Sequence, residues 1–155
     1  MRKIYLPVYK HLWLDGGESY LNNLYSENNL KKELNDPNSR YYFVVHNDEL
    51  VGILRVLLEE PISGLKCNFS TKLQRIYLDQ AVQGKGIGEK IINWVEKEFC
   101  AKENSILWLE VMDTQEKALN FYKRMGFGLV DNFRFESDIM IENLKGMYRM
   151  AKNTK

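Results

Sequence analysis

Several features are scarce in this sequence, and each scarcity excludes a class of protein. Only two cysteines occur, Cys67 and Cys100, and their setting fits neither a disulfide framework nor a zinc ligand set, so we expect reduced thiols and a cytoplasmic protein. Residues 1–7 contain no apolar run long enough for a signal peptide. No stretch approaches the roughly 20 apolar residues of a membrane-spanning helix, so we expect no membrane partner.

An excess of one charge is also missing. Lys and Arg total 22, Asp and Glu total 21, and the net charge is +1. Nucleic-acid binding usually needs a basic surface, so we expect no nucleic-acid partner. His11 and His46 lack the spacing of metal ligands, and we expect no metal site. The 155 residues, 45% of them hydrophobic, suffice for one domain with a real core, spanning residues 1–155.

The order of predicted elements indicates a mixed α/β fold. We expect a short opening strand at residues 2–9, two helices within 12–34, and then a β-hairpin over 41–58. A strand over 72–78 leads into a glycine-rich turn, which is followed by helix 87–99, strand 106–112, a helix ending at Gly126, and two last strands over 127–133 and 145–150. The strand–helix–strand run predicts one parallel pair in a mostly antiparallel sheet, with helices flanking the sheet.

The glycine-rich turn is the most informative segment. Gly84, Gly86 and Gly88 lie between a strand and a helix, where the first helical amides lack partners and carry the positive end of the helix dipole. Glycines let a phosphate approach those amides, and Lys85 adds a charge. The spacing matches neither the P-loop nor the dinucleotide-binding fingerprint. A loop that only turns the chain explains the motif equally well.

A family resemblance extends this observation. The motif Gln83-x-x-Gly86-x-Gly88 resembles the signature of the GNAT acetyltransferases, the GCN5-related N-acetyltransferase superfamily. The strand Trp108-Leu109-Glu110-Val111 resembles the family's next strand, and residues 118–127, with Phe121-Tyr122 followed by Gly126-Phe127, resemble its second motif. The strand at 73–78 and the Arg149-Met150 strand look most like the polyamine-acetylating bacterial branch.

The resemblance implies acetyl-CoA as co-substrate and assigns roles along the chain. Backbone groups of Ile76, Tyr77 and Leu78 would follow the pantetheine arm, where the parallel strands splay apart. Tyr122 would lie near the sulfur as proton donor, and Gln115 stands where the family usually has Asn. The pyrophosphate would be wrapped by the residues of the turn, namely Gln83, Gly84, Lys85, Gly86, Ile87 and Gly88.

The chemistry of amine acetylation suggests further candidates. An alkylamine with a pKa near ~10.4 must lose a proton before it attacks a thioester. Glu110 is the leading candidate for the base and Asp79 a weaker one, but a water-exposed or salt-bridged carboxylate is the more common role for a residue like Glu110. A free amide near Leu78 would stabilise the oxyanion.

The acceptor stays open at this point. We expect a primary amine of a small molecule, with a polyamine as one candidate. A protein N-terminus or lysine side chain would need an open groove, whereas a polyamine would need a narrower acidic pocket, to which Glu136 and Asp138 would contribute if they face it. Trp13 and Tyr20 either line that pocket or pack in the core. A non-catalytic acyl-CoA-binding module is a further alternative, and the oligomeric state, a homodimer included, is not determined.

Overall fold

A computed structural model describes residues 1–154 as one six-stranded sheet flanked by helices on both faces. The strand order is β1-β2-β3-β4-β6-β5. Every neighbouring pair is antiparallel except β3 and β4, which are parallel. The predicted mixed sheet with one parallel pair is therefore confirmed.

The strands, in chain order, are β1 (Ser39–His46), β2 (Glu49–Leu58), β3 (Phe69–Leu78), β4 (Ser105–Met112), β5 (Gly128–Arg134) and β6 (Gly146–Asn153). The helices are α1 (Arg2–Tyr9), α2 (Glu18–Leu24), α3 (Glu27–Asn35), α4 (Ile87–Phe99) and α5 (Glu116–Arg124). Short 3-10 turns lie at Lys10–Leu12, Gln80–Val82 and Glu142–Leu144. No helix within residues 1–154 is both long and apolar enough to cross a membrane.

The two faces of the sheet carry separate cores. Ile92 and Val95 of α4 pack with Leu107 and Leu109 of β4, because apolar residues four apart along α4 share one face. On the opposite face, α1, α2 and the segment between them form a second core around Trp13. The cavity described below lies where the two cores meet.

The predicted opening strand is wrong, because Arg2–Tyr9 is a helix. Tyr5 and Tyr9 are four residues apart, so a helix places their rings on one face, where they stack with centroids 4.6 Å apart. Tyr5 also meets Tyr77 of β3 edge-on at 5.3 Å. This aromatic packing outweighs Pro7, which lies inside the helix and removes one amide donor.

The other predicted elements agree with the structure to within a few residues. The hairpin forms as β1 and β2, and the region predicted to hold two helices contains α2 and α3. Gly126 has a φ of +89° and follows Met125, the C-cap residue of α5, as expected of a glycine that ends a helix. Cys67 and Cys100 are both free thiols.

Candidate active site

The parallel strands β3 and β4 separate partway along their length. Their pairing runs from Phe69–Ser105 to Leu73–Leu109 and stops there. Both strands continue, β3 to Leu78 and β4 to Met112. The gap between them opens into a cavity of about 170 Å³ that contacts residues from both faces of the sheet. The splayed pair expected from the resemblance is thus present.

Backbone groups on the open side of β3 have no strand to pair with. The Asp79 amide donates to the Val51 carbonyl of β2 at 2.8 Å. Since hydrogen bonding alternates along an antiparallel strand, Tyr77 also directs its backbone toward β2, and Ile76 and Leu78 direct theirs toward the gap. Of the three residues expected to offer backbone groups to a pantetheine arm, Ile76 and Leu78 thus face the gap, where the Leu78 carbonyl accepts from Gln83 Nε2, and Tyr77 does not. Tyr77 lines the cavity.

The glycine-rich turn leaves a row of amides free. Residues 83–86 form a turn, and within residues 1–154 the amides of residues 84–88 make no backbone hydrogen bond of good geometry. The first bond into α4 is the one from Lys90 to the Gly86 carbonyl, at 3.1 Å. Free amides at the start of a 13-residue helix attract an anion through both hydrogen bonding and the helix dipole.

The three glycines of this turn serve different purposes. Gly84 and Gly86 both have a φ of +75°, and a Cβ at either position would meet nothing within 4 Å. The space beside the amides of these two glycines is therefore free, as a bound ligand requires. Gly88 is needed for packing instead, since its Cβ would come within 3.1 Å of the Phe121 ring.

Tyr122 of α5 lines the cavity from the α4–α5 face. Its side chain is buried, and its ring packs edge-on against Phe127 at 5.7 Å. Burial raises the pKa of Tyr122, so the phenol keeps its proton at neutral pH and is available as a hydrogen-bond donor.

The other polar candidates lie around this gap. The side-chain nitrogen Nε2 of Gln83 donates to the Leu78 carbonyl at 3.4 Å, and Lys85 is exposed beside the free backbone amides. Ile87 is buried in a small core with Val51 and Val82. Gln115 is the residue before α5 and is half-buried, with no side-chain bond to the helix, and it does not line the cavity.

Glu110 lines the cavity but is already paired with two cations. Its Oε2 accepts from the Lys72 ammonium at 2.9 Å and its Oε1 accepts from Arg149 Nε at 3.1 Å. Arg149 also binds Asp131 at 3.0 Å, so the carboxylate belongs to a network across four strands. Glu110 therefore has the geometry of a salt-bridged carboxylate, one of the roles that the sequence left open. Asp79 caps the following turn by accepting from the Ala81 amide at 2.9 Å.

The opposite side of the cavity is formed by four aromatic residues, of which the sequence suggested only Trp13 and Tyr20 as pocket candidates. Tyr5 and Tyr9 of α1 line it together with Trp13 and Tyr20, and the last two stack with centroids 4.4 Å apart. Trp13 Nε1 donates to the Tyr5 hydroxyl at 3.1 Å. The four-residue spacing of Tyr5 and Tyr9 is the signal that would have revealed this aromatic face.

Two loops that are distant in sequence meet above these rings. Trp13 and Met140 form an antiparallel bridge, flanked by hydrogen bonds from Leu14 to Ile139 and from Ile141 to Leu12, each 2.9 Å long. We call this pairing of residues 12–14 with 139–141 the roof. Leu12, Trp13 and Met140 all line the cavity, so the roof forms part of its wall on the acceptor side.

A buried ion-pair network lies next to the cavity. Glu33 of α3 accepts hydrogen bonds from Arg75 at 2.7 and 2.8 Å and from Arg55 at 3.0 Å, and Tyr41 donates to the same carboxylate. Burial by itself would raise the pKa of Glu33, but the bonds from Arg75 and Tyr41 lower it to about 2. The network ties α3 to β2 and β3 and fixes Arg75, which lines the cavity.

Comparisons with known proteins agree with this geometry. The chain is 28% identical over 107 residues to a Lactobacillus delbrueckii subsp. lactis protein named an uncharacterized N-acetyltransferase in the pepI 3' region, and this match spans 69% of the chain and 62% of the relative's length.

Two solved structures share the fold. The PaiA N-acetyltransferase of Thermoplasma acidophilum, in complex with coenzyme A, has a TM-score of 0.71 at 19% identity, covering 98% of this chain and 87% of that one. Arabidopsis thaliana Naa50, in complex with the bisubstrate analogue CoA-Ac-MVNAL, has a TM-score of 0.66 at 23% identity, covering 86% and 88%. The model of the acetyltransferase (GNAT) family matches residues 1–127, and the chain belongs to this family.

Proposed function

We propose that the protein transfers the acetyl group of acetyl-CoA to a primary amine of a small molecule. The observation that carries this proposal is the gap between β3 and β4, which opens at Leu73–Leu109 into a cavity lined by the buried Tyr122. A thioester placed in such a gap would be within reach of one buried donor and of strand amides without a partner. Membership in the acetyltransferase family supports the same reaction.

The proposed binding mode divides the cofactor between two sets of backbone donors. The free amides of residues 84–88 would hold the pyrophosphate, with Lys85 adding positive charge. The open backbone groups of Ile76 and Leu78 would align the pantetheine arm along β3. Because most of these contacts are made by the main chain, Gln115 in place of the family's usual Asn is compatible with cofactor binding.

The proposed chemistry is direct attack on the thioester. The neutral amine nitrogen forms a bond to the acetyl carbon, the carbon–sulfur bond breaks, and coenzyme A leaves as a thiolate that takes up a proton. An open amide near Leu78 would donate to the oxyanion of the tetrahedral intermediate, a contribution typically worth about 3 kcal/mol. Tyr122 would donate to the departing sulfur, and because burial raises its pKa, it would stabilise the thiolate through a hydrogen bond more readily than by complete proton transfer.

Glu110 is proposed as the residue that receives the amine proton, through a water molecule. Each of its oxygens already accepts from a cation, which leaves it a weak acceptor for this step. Burial of the amine offers a second route, because an apolar site disfavours the ammonium form and thereby lowers the pKa of the amine. The pH–rate profile of Glu110→Gln distinguishes the two routes, since only loss of a base removes the acidic limb of kcat/KM.

A thiol-release assay tests the proposal. Acetyl-CoA is incubated with the protein and with polyamines, aminoglycosides, amino acids, monoamines or short peptides, and free coenzyme A is measured against a reaction without amine. Amine-dependent release with formation of the acetylated product is the expected result. Acetyl-CoA binding by calorimetry with no release for any amine would instead indicate a non-catalytic acyl-CoA-binding module.

A further inference from the structure

The acceptor side of the cavity is apolar and aromatic. Trp13 and Tyr20 stack at 4.4 Å, and Tyr5 stacks on Tyr20 at 5.4 Å. Burial raises the pKa of Tyr5, Tyr9 and Tyr20, so these phenols are neutral at physiological pH. The remaining side chains on this side of the lining are Leu12, Phe135, Met140 and Met147.

The charged side chains of the lining are already paired. Arg75 and Glu110 are the two that line the cavity within residues 1–154. Arg75 is paired with Glu33 at 2.7 Å, and Glu110 with Lys72 and Arg149. Glu136 and Asp138 are exposed on the β5–β6 loop and do not belong to the lining. An acceptor with a second ammonium group would find no unpaired carboxylate here.

The roof limits the shape of the acceptor. A peptide needs an open groove in which its backbone can extend beyond the reacting amine. Here the two loops above the rings are joined by the Trp13–Met140 bridge and its two flanking hydrogen bonds. Passage between them would break those bonds and leave buried backbone groups unpaired. The cavity of about 170 Å³ includes the gap in which the thioester would lie, so only part of it is left for the acceptor. For comparison, an apolar cavity of about 150 Å³ holds one benzene molecule.

From the neutral aromatic lining, the paired charges and the roof, we infer that the acceptor is a primary monoamine whose carbon body is one aromatic ring or an apolar group of similar size. This inference rests on the proposed acetyl transfer. A monoamine that enters the pocket needs to lose only one proton, and the apolar surroundings favour that loss. A polyamine would bring a second cation whose desolvation exceeds the attraction that aromatic rings provide.

The test compares three acceptors on the full chain. The ratio kcat/KM is measured by thiol release for 2-phenylethylamine, spermidine and an unmodified pentapeptide. We expect 2-phenylethylamine to exceed the other two by on the order of 100-fold. A preference for spermidine or the peptide would overturn the inference and leave the proposed acetyl transfer standing. If acetyl-CoA binds but neither these three acceptors nor any other amine causes thiol release, both the inference and the proposed acetyl transfer would be overturned.

A pair of substitutions tests the pocket itself. Tyr20→Leu removes one ring of the stack and is expected to raise KM for 2-phenylethylamine about fivefold while leaving KM for acetyl-CoA unchanged. Tyr42→Leu is the matched control, because Tyr42 is also half-buried but packs against Trp94 at 4.9 Å and does not line the cavity. An equal effect of the two substitutions on KM for the amine would contradict the assignment.

Discussion

The two sides of the cavity are constructed differently. The side proposed for the cofactor presents main-chain groups, namely the amides of residues 84–88 and the open edge of β3 beyond Leu73. The side proposed for the acceptor presents side chains, mainly aromatic rings from α1, the segment after it and α2. Main-chain donors suit the phosphates and amides that every acetyl-CoA molecule carries, whereas side chains determine which amine fits.

This contrast also concerns stability. The free amides are held by α4, whose apolar face packs directly into the main core. The acceptor side depends on the short helices α1, α2 and α3, and a helix of seven to nine residues is not stable alone. Its attachment to the sheet relies on the aromatic stack and on Glu33. A substitution that weakens this attachment should therefore destabilise the acceptor side more than the cofactor side.

The largest effect is expected from Glu33→Gln. The substitution leaves Arg55 and Arg75 buried without a counter-charge, and breaking a buried pair of this kind typically costs about 3–5 kcal/mol. Unfolding in guanidinium chloride measures the change in the free energy of unfolding. Glu27→Gln is the control, since Glu27 pairs with Lys31 on the exposed surface of the same helix and should change stability by less than about 0.5 kcal/mol.

The same substitution has a defined pH dependence. The pKa of Glu33 falls from 4.5 to about 2 on folding, so its contribution to stability is present above pH 4.5 and is lost as the pH falls toward 2. The difference between the wild type and Glu33→Gln should be constant from neutral pH to about pH 5 and shrink below that. A difference that grows on acidification would contradict the ion-pair assignment.

Tyr122→Phe is expected to have the next largest effect. Loss of the hydroxyl removes the proposed donor to the thiolate and should lower kcat about 100-fold, with KM for acetyl-CoA changed less than about twofold. Tyr42→Phe is the matched control outside the cavity. Unchanged turnover in Tyr122→Phe would remove Tyr122 from the mechanism and leave it a core aromatic residue.

The contrast explains what could be predicted from the sequence. The cofactor side is formed by consecutive residues. Gly84, Gly86 and Gly88 between a strand and a helix therefore indicated free amides, although a loop that only turns the chain explained them equally well. The order of elements was enough to predict the parallel pair. These signals are local because one strand-to-helix junction contains the whole feature.

The acceptor side was not predictable in the same way. It combines residues near the start of the chain with Met140, and the pairing that joins them is between loops. The segment Arg2–Tyr9 was predicted as a strand, whereas packing of Tyr5 on Tyr77 stabilises a helix. Similarly, the ion pairs of Glu110 with Lys72 and Arg149 span three strands, and a single strand's sequence does not reveal them.

Gly86→Ala tests the free amides of the cofactor side. An alanine at a φ of +75° is strained by roughly 1–2 kcal/mol, and its Cβ would occupy the space beside the free amides. We expect KM for acetyl-CoA to rise about 10-fold and the preference among amines to stay the same. Gly64→Ala is the control, because Gly64 has a φ of +83° and equally open surroundings but lies in the β2–β3 loop. If both variants raised KM for acetyl-CoA, strain alone would account for the effect.

The smallest effect is expected at the roof, on the acceptor side. Ile141 has a φ of −60°, which proline adopts without strain, and its amide donates to the Leu12 carbonyl at 2.9 Å. Ile141→Pro therefore removes one roof hydrogen bond, worth about 1 kcal/mol, whereas Ile141→Ala shortens the side chain and keeps the donor. The ratio of kcat/KM for a pentapeptide to kcat/KM for 2-phenylethylamine should be about threefold to fivefold higher in Ile141→Pro than in Ile141→Ala. KM for acetyl-CoA should be unchanged. If the two variants discriminated equally between peptide and monoamine, the roof would not be what excludes peptides, and the selectivity would have to come from the aromatic lining alone.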